Sequence, residues 1–284
     1  MVRIMPVEGS CEWKYAMSST CSDIQEFPED DYVMILNLGN GGGEYETWST
    51  ITAEFAKETL MPFLISRFRK DGYNEIYFHG YMQMDRRCEF PWNSLKHEIT
   101  RIAEVVFSAL NASDVTFNRY EVGYYGPASE EFVVRQIETG KNEHLNLFGP
   151  WPNGGIHLIR LHLEHYDKVY ITLTPHNKVL VPQDLFDSLF SKFLDRKLIL
   201  HDMHGTLDFY SSHVRNLRPD LRINLKMDKG KNVMTWKSPI DCRDIFQVEF
   251  LEGEVSISTH FGGLCMCKKR RKTIHMMTES RLLL

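Results

Sequence analysis

The sequence lacks the apolar run that a membrane-spanning helix needs. No stretch of the 284 residues approaches the ~18–20 apolar positions of such a helix, which argues against a membrane partner. The first ten residues, MVRIMPVEGS, have no apolar core region, which argues against a secretory signal. The cysteines are too few and too scattered for a disulfide framework: Cys11, Cys21, Cys88, Cys242, Cys265 and Cys267. These absences predict a reducing setting, the cytoplasm or the nucleus.

The sequence also lacks a catalytic signature. No G-x-S-x-G occurs, and residue order alone assembles no Ser/His/Asp or Cys/His set. The glycine-rich run Gly39–Gly43 follows a candidate strand but matches neither G-x-G-x-x-G nor GK[ST], so it indicates a surface loop. His201–His204, HDMH, has no carboxylate or cysteine partner that can be identified by metal-ligand spacing. We therefore predict no cofactor and no metal.

A strong basic charge is absent as well. The formal net charge of −5 gives no global attraction to nucleic acid, so we do not expect a nucleic-acid partner. One basic run, KKRRK at Lys268–Lys272, is typical either of a nuclear-import or nucleic-acid patch or of a solvated tail.

What the sequence does contain is a recurring helix–strand unit, clearest at Leu185–Gly205. The hydrophobic content of the whole chain, 43%, is ample for a large core. The first half of the unit has a wide apolar stripe at helical period, formed by Leu185, Phe186, Leu189, Phe190, Phe193 and Leu194. The second half, Lys197–His201, alternates at period two, which predicts a short strand. Amphipathic helix, turn and strand therefore follow one another here.

Similar patterns occur along most of the chain. Apolar stripes predict helices over Trp48–Arg69 and Trp92–Leu110 and a helix around Phe132–Ile137 capped by Ser129, whereas Ile156–Leu163 fits either helix or strand. Strand anchors are predicted near Ile35, Ile76, Val115, Leu145, Val169, Leu198 and Leu221. The last five anchors are 23 to 30 residues apart, a spacing typical of leucine-rich-repeat solenoids. An ordinary doubly wound α/β sheet is the alternative.

The composition of the strands favours the repeat architecture. Strands covered on both faces are almost continuously apolar, but polar and aromatic residues alternate with the anchors here. We therefore predict an α/β fold, a leucine-rich-repeat-like curved array of helix–strand units with one solvated sheet face. We expect a loosely ordered lead-in over 1–30, a single α/β repeat domain over 31–261, a C-terminal β-hairpin cap at about 244–260, and a basic flexible tail over 262–284.

These units resemble a known family. The lines EHLNLFGPW, RKLILHDMHG and DIFQVEFLEGEVSISTHF resemble the F-box-associated (FTH-like) regions of nematode F-box proteins, over roughly residues 50 to 260. The resemblance implies a substrate-recognition module of a ubiquitin-ligase adaptor, with Skp-like or cullin ligase components as partners and no chemistry of its own. The chain departs from the family in showing no recognisable F-box before residue 50, which puts its link to a ligase in doubt.

The predicted function is protein binding on the solvated sheet face, without enzymatic activity. The expected binding residues are those between the strand anchors: Tyr77, Asn118, Asn146, Phe148, Tyr170, Thr172, Arg222 and Asn224. The alternative function is a small α/β enzyme with a ligand at strand ends near Gly39–Gly43 or His201–His204.

Overall fold

The structure is a computed structural model, and it describes residues 2–6, 13–16, 35–38, 49–69, 73–78, 92–174, 177–201, 203–223 and 232–262. The chain divides into two compact units. The first unit comprises Met1–Tyr166 and Thr172–Asn177, and the second comprises Asp167–Ile171 and Lys178–Leu284. A single α/β repeat domain over residues 31–261 stays a prediction, whereas by its internal contacts the chain falls into these two units.

The first unit is built on a mixed sheet with a parallel centre. Its strands are β1 (Val2–Pro6), β2 (Trp13–Ala16), β3 (Ile35–Leu38), β4 (Ser49–Ile51), β5 (Glu75–Phe78), β6 (Arg119–Gly123) and β7 (His144–Phe148). Within this unit they are ordered β7-β6-β5-β3-β1-β2-β4. Strands β1, β3, β5, β6 and β7 are parallel to one another, whereas β2 is antiparallel to its neighbours β1 and β4.

Helices connect the parallel strands. They are α1 (Ala53–Phe55), joined by a π-helical turn at Ala56–Leu60 to α2 (Met61–Arg67), then α3 (Trp92–Asn111), α4 (Pro127–Glu138) and α5 (Ile156–His165). Thr52 caps α1, since its hydroxyl accepts the backbone N–H of Phe55 at 3.1 Å. The helix predicted from Trp48 thus begins after β4, and the ambiguous stretch at residues 156–163 is a helix.

The core of the first unit lies between these helices and one face of the sheet. Phe78 of β5 packs on Phe107 of α3 with ring centroids 5.3 Å apart. Phe107 in turn lies 5.1 Å from Phe132 of α4, and Phe132 meets the ring of Tyr120 of β6 edge-on. This continuous aromatic contact explains why the apolar stripes of α3 and α4 face the sheet.

The second unit contains a mostly antiparallel sheet with one parallel strand pair, and a further pair of neighbouring strands. Its elements are the first three residues of β8 (Val169–Leu173), β9 (Val179–Val181), α6 (Gln183–Leu194), β10 (Leu198–His201), β11 (Met203–Leu207), α7 (Ser211–Asn216), β12 (Arg222–Ile223), β13 (Asn232–Lys237), β14 (Ile245–Phe250) and β15 (Val255–His260). Strands β8 and β10 are neighbours, and six strands form a sheet ordered β12-β13-β14-β15-β11-β9.

The phenylalanine stripe predicted at residues 185–194 forms the centre of the second core. Phe186, Phe190 and Phe193 of α6 are all buried. The ring of Phe190 lies 5.3 Å from Phe246 of β14 and 5.7 Å from Trp236 of β13, both edge-on. The helical register predicted from the sequence is therefore confirmed for this element.

The structure confirms a mixed α/β fold with parallel strands and connecting helices, and it corrects two strand anchors. Val115 and Phe117 are buried but form no strand, because the backbone N–H of Phe117 donates to the side chain of Gln136 at 2.9 Å instead of joining a ladder. The strand begins at Arg119. Leu221 immediately precedes β12, which pairs antiparallel with β13 and is not a repeat of the parallel pattern.

The predicted ends of the chain also differ from the structure. Two strands, Val2–Pro6 and Trp13–Ala16, lie within the expected lead-in over 1–30. Their buried residues Val2, Ile4, Trp13 and Tyr15 alternate at period two, a short signal that the surrounding polar residues conceal. Strands β14 and β15 are antiparallel neighbours, and β13 and β11 pair with their two outer edges. That this pair caps the end of an array stays a prediction. Residues 263–284 of the predicted tail lie outside the described residues.

Candidate functional site

Burial alternates along the parallel strands of the first unit. Buried side chains on one face pack towards the helices: Ile76, Phe78, Tyr120, Val122, Leu145 and Leu147. Exposed or half-buried side chains point to the opposite face, as expected for a strand that is covered on one side. We call these residues the parallel-sheet face: Glu75 and Tyr77 of β5, Arg119 and Glu121 of β6, and His144, Asn146 and Phe148 of β7. Along β5, β6 and β7, one face of the sheet is thus less buried than the other.

Strand register brings four of these side chains into one cluster. Glu75 is the Cα partner of Arg119, and Tyr77 is the Cα partner of Glu121. The Arg119 guanidinium donates to Glu121 Oε1 through Nη2 at 2.6 Å and through Nε at 3.2 Å. It also lies over the Tyr77 ring, 5.4 Å from the centroid, and the Tyr77 hydroxyl donates to Glu75 Oε2 at 2.9 Å. Each member therefore restricts the orientation of the next.

The electrostatics of the cluster raise the pKa of both its phenol and its guanidinium. Burial and the hydrogen bond to Glu75 raise the pKa of Tyr77 to about 12. The hydrogen bond to Glu121 raises the pKa of Arg119, and the charge of Glu75 adds to this effect. A neutral phenol and a permanent guanidinium are poor proton donors near neutral pH, because proton transfer is most efficient when the pKa lies near the working pH. The arrangement therefore suits recognition better than acid–base catalysis.

Strand β7 extends the parallel-sheet face with an apolar and a polar group. Phe148 is the Cα partner of Gly123, so it lies on the same face as Tyr77 and Glu121. Val122 is the Cα partner of Leu147, so the residues that precede them on the two strands, Glu121 and Asn146, lie side by side when this register is extended by one pair. His144 is exposed at the start of β7, where its backbone N–H donates to Asn142 Oδ1 at 2.9 Å. The face thus carries aromatic, charged and amide groups side by side.

The eight predicted binding residues belong to different parts of the chain, and seven of them are described. Tyr77, Asn146 and Phe148 lie on the parallel-sheet face, as expected. Asn118 has a structural role instead: its Oδ1 accepts the backbone N–H of Asn74 at 3.0 Å, and its own N–H donates to Asn74 O. Thr172 is half-buried in β8 and belongs to the first unit.

Two of the remaining predicted residues belong to the second unit. Tyr170 is in the second unit, where Lys168 Nζ lies 5.1 Å from its ring centroid. Arg222 lies in β12, at the edge of the antiparallel sheet, and donates to Arg215 O at 2.7 Å. Its predicted place on a parallel strand is wrong because β12 pairs with β13 in the opposite direction. Asn224 lies outside the described residues.

Sequence reasoning missed three members of the cluster. Arg119 and Glu121 were not predicted because the strand was assigned to Val115 and Phe117, four residues too early. The alternation of Tyr120 and Val122 with Arg119 and Glu121 is a period-two signal that could have found them. Glu75 was not selected because its importance depends on Arg119, a residue 44 positions later in the chain.

The two ligand sites of the enzyme alternative stay predictions. Gly39–Gly43 lies outside the described residues. His201 is exposed at the end of β10, and His204 is half-buried on β11. Within the residues that the structure describes, no group of three or more His, Cys, Asp or Glu side chains could hold a metal ion.

Comparison with known proteins finds no matching family model, no matching curated protein and no matching solved structure. Among the described residues, no helix is both long enough and apolar enough to cross a bilayer.

Proposed function

We propose that the parallel-sheet face binds a protein partner, and that the chain serves as the substrate-recognition module of a ubiquitin-ligase adaptor in the cytoplasm or nucleus. The observation that carries the binding role is the Glu75–Tyr77–Arg119–Glu121 cluster beside Phe148. Tyrosine and arginine are the residue types most enriched at the energetic centres of protein interfaces. The ligase role rests on the sequence resemblance alone.

Three features of the cluster favour protein binding over small-molecule chemistry. Its aromatic and guanidinium groups are held in place by mutual contacts, so little side-chain entropy is lost on binding. The groups lie on strands of a sheet and not on a loop, which gives them a rigid base. Together with Phe148 they spread across three neighbouring strands, which are about 4.8 Å apart, and this is the scale of a protein contact.

The test is affinity purification of the full chain followed by mass spectrometry, and then calorimetry with the purified partner. Wild-type protein should recover a main partner together with Skp-like or cullin subunits. The double variant Tyr77→Ala, Phe148→Ala should weaken the partner's Kd at least 10-fold, which corresponds to about 1.4 kcal/mol. Because both side chains are only half-buried, its melting temperature should stay close to that of the wild type.

The matched control removes two exposed aromatic side chains from the second unit. Tyr210→Ala, Phe261→Ala should leave the partner's Kd unchanged, since Tyr210 is 86% exposed and far less constrained. If the Tyr77→Ala, Phe148→Ala variant binds the partner as tightly as the wild type, the proposed binding surface is refuted. Recovery of the partner without any Skp-like or cullin subunit would refute the ligase role and leave the binding role standing.

A further inference from the structure

Glu75 is the carboxylate of the cluster that forms no ion pair with the residues that the structure describes. Its Oε2 accepts the Tyr77 hydroxyl, a neutral donor, at 2.9 Å. Among the described residues, Glu75 forms no ion pair, and the nearby guanidinium of Arg119 is bound to Glu121. The cluster therefore holds two carboxylates and one guanidinium.

Two tyrosine rings flank this carboxylate. Tyr77 is half-buried beside it on β5, and Tyr73, two residues before Glu75, is 58% exposed. Partial burial and the neighbouring Glu75 raise the pKa of Tyr73, so its phenol stays neutral near pH 7. The Tyr77 ring already accepts a cation on its face, since Arg119 lies 5.4 Å from the centroid.

A carboxylate beside aromatic rings is complementary to a basic side chain. The carboxylate supplies a charge-assisted hydrogen bond, and the ring faces supply cation–π attraction. An acidic group would meet two carboxylates here, whereas an apolar group would leave Glu75 covered without a cation, at a cost in desolvation. The net charge of −5 also favours encounter with a basic segment.

We infer that the parallel-sheet face binds a basic segment of its protein partner, with a Lys or Arg side chain paired to Glu75 beside Tyr73 and Tyr77. This inference rests on the proposed function and names the chemistry of the partner. The partner's basic side chain would supply the second cation of the cluster, and Phe148 would contact apolar residues of the same segment.

The experiment is a selection of random 12-residue peptides, displayed on phage, against the full chain. Selected peptides that no longer bind the Tyr77→Ala, Phe148→Ala variant are assigned to the face, and their Kd is measured by fluorescence anisotropy. We expect these peptides to share a Lys or Arg. Replacing that residue by norleucine should weaken binding at least 10-fold, and raising the salt concentration from 50 to 300 mM should also weaken it.

The protein-side test is Glu75→Gln, which keeps an acceptor for the Tyr77 hydroxyl but removes the charge. Glu75→Gln should weaken the binding of the basic peptides at least 10-fold and leave the binding of the norleucine peptides nearly unchanged. The effects of Glu75→Gln and of the norleucine replacement on the Kd are then not additive. The control Glu104→Gln removes the same charge from an exposed position on α3 and should not change the Kd. Because the norleucine change lies in the peptide, it tests the pairing even if a protein variant folds poorly.

Two outcomes would overturn the inference and are distinguishable. If peptides assigned to the face are neutral or acidic, or bind Glu75→Gln as tightly as the wild type, the basic-segment inference fails and the binding face remains. If no selected peptide is sensitive to Tyr77→Ala, Phe148→Ala, the proposed binding face fails, and the inference fails with it.

Discussion

Phe190→Ala is the sharpest test of the phenylalanine stripe on α6. The Phe190 side chain is only 3% exposed and meets the rings of Trp236 and Phe246 edge-on at 5.7 and 5.3 Å. Truncating a buried phenylalanine typically costs about 3–5 kcal/mol, because apolar burial is lost and a cavity remains. Each lost ring pair adds about 0.5–1.5 kcal/mol to the cost that the lost buried area alone would predict. We expect a total loss in the upper half of that 3–5 kcal/mol range.

This loss is large beside the roughly 5–15 kcal/mol that stabilises a typical domain. It should be measured by urea unfolding of the full chain, followed by tryptophan fluorescence and far-UV circular dichroism. Because the chain has two compact units, two transitions are expected, and only one of them should move. Phe190→Leu keeps most of the buried apolar surface and should cost clearly less than Phe190→Ala.

The control for this experiment is Tyr210→Ala, because Tyr210 is 86% exposed. Its effect should lie within about 0.5 kcal/mol. A loss below about 1 kcal/mol for Phe190→Ala would mean that the stripe does not face the sheet. A loss that appeared equally in both transitions would contradict the assignment of Phe190 to a separate second core.

Two further predictions concern the second unit. Gly205→Ala should destabilise it by about 1–3 kcal/mol in urea unfolding, because an added Cβ would lie 1.8 Å from the carbonyl oxygen of Val179 on the paired strand. Asp241→Asn should reduce the acid sensitivity of this unit, since hydrogen bonds from Arg243 hold the pKa of Asp241 well below its ordinary value. The folded-state pKa of Asp241 is below the unfolded value of about 3.9, so the carboxylate stabilises the fold above about pH 4. This contribution to stability is lost as the pH falls below that value. Urea midpoints at pH 3, 5 and 7 measure the loss.

Matched neighbours serve as controls for both. Thr206→Ala changes an exposed side chain on the same strand as Gly205 and should shift the midpoint little; equal effects of the two changes would refute the close approach to Val179. Asp208→Asn removes an exposed carboxylate and should leave the pH dependence as in the wild type. If Asp241→Asn also left it unchanged, the pair with Arg243 would contribute nothing to acid stability.

The sequence alone determined the local elements and the direction that many side chains face. The spacing of Phe186, Phe190 and Phe193 places them on one side of a helix, whatever that helix packs against. The alternation of Ile76 and Tyr77 likewise assigns them to opposite faces of a strand. Such patterns arise from backbone geometry within a few residues, so they can be read without knowing the rest of the fold.

The tertiary structure decided which strands are neighbours, and so which side chains meet. Pairing β5 with β6 sets Glu75 beside Arg119, and pairing β12 with β13 removes Arg222 from the parallel strands. The same holds for Phe117, whose backbone N–H is satisfied by a glutamine side chain on α4 and not by a strand. A strand pattern specifies one buried face but not the identity of its hydrogen-bonding neighbour, because any partner of matching length can satisfy the same N–H and C=O groups. Only the packing of the whole chain selects among those partners, and it is this selection that assembles the cluster on the parallel-sheet face.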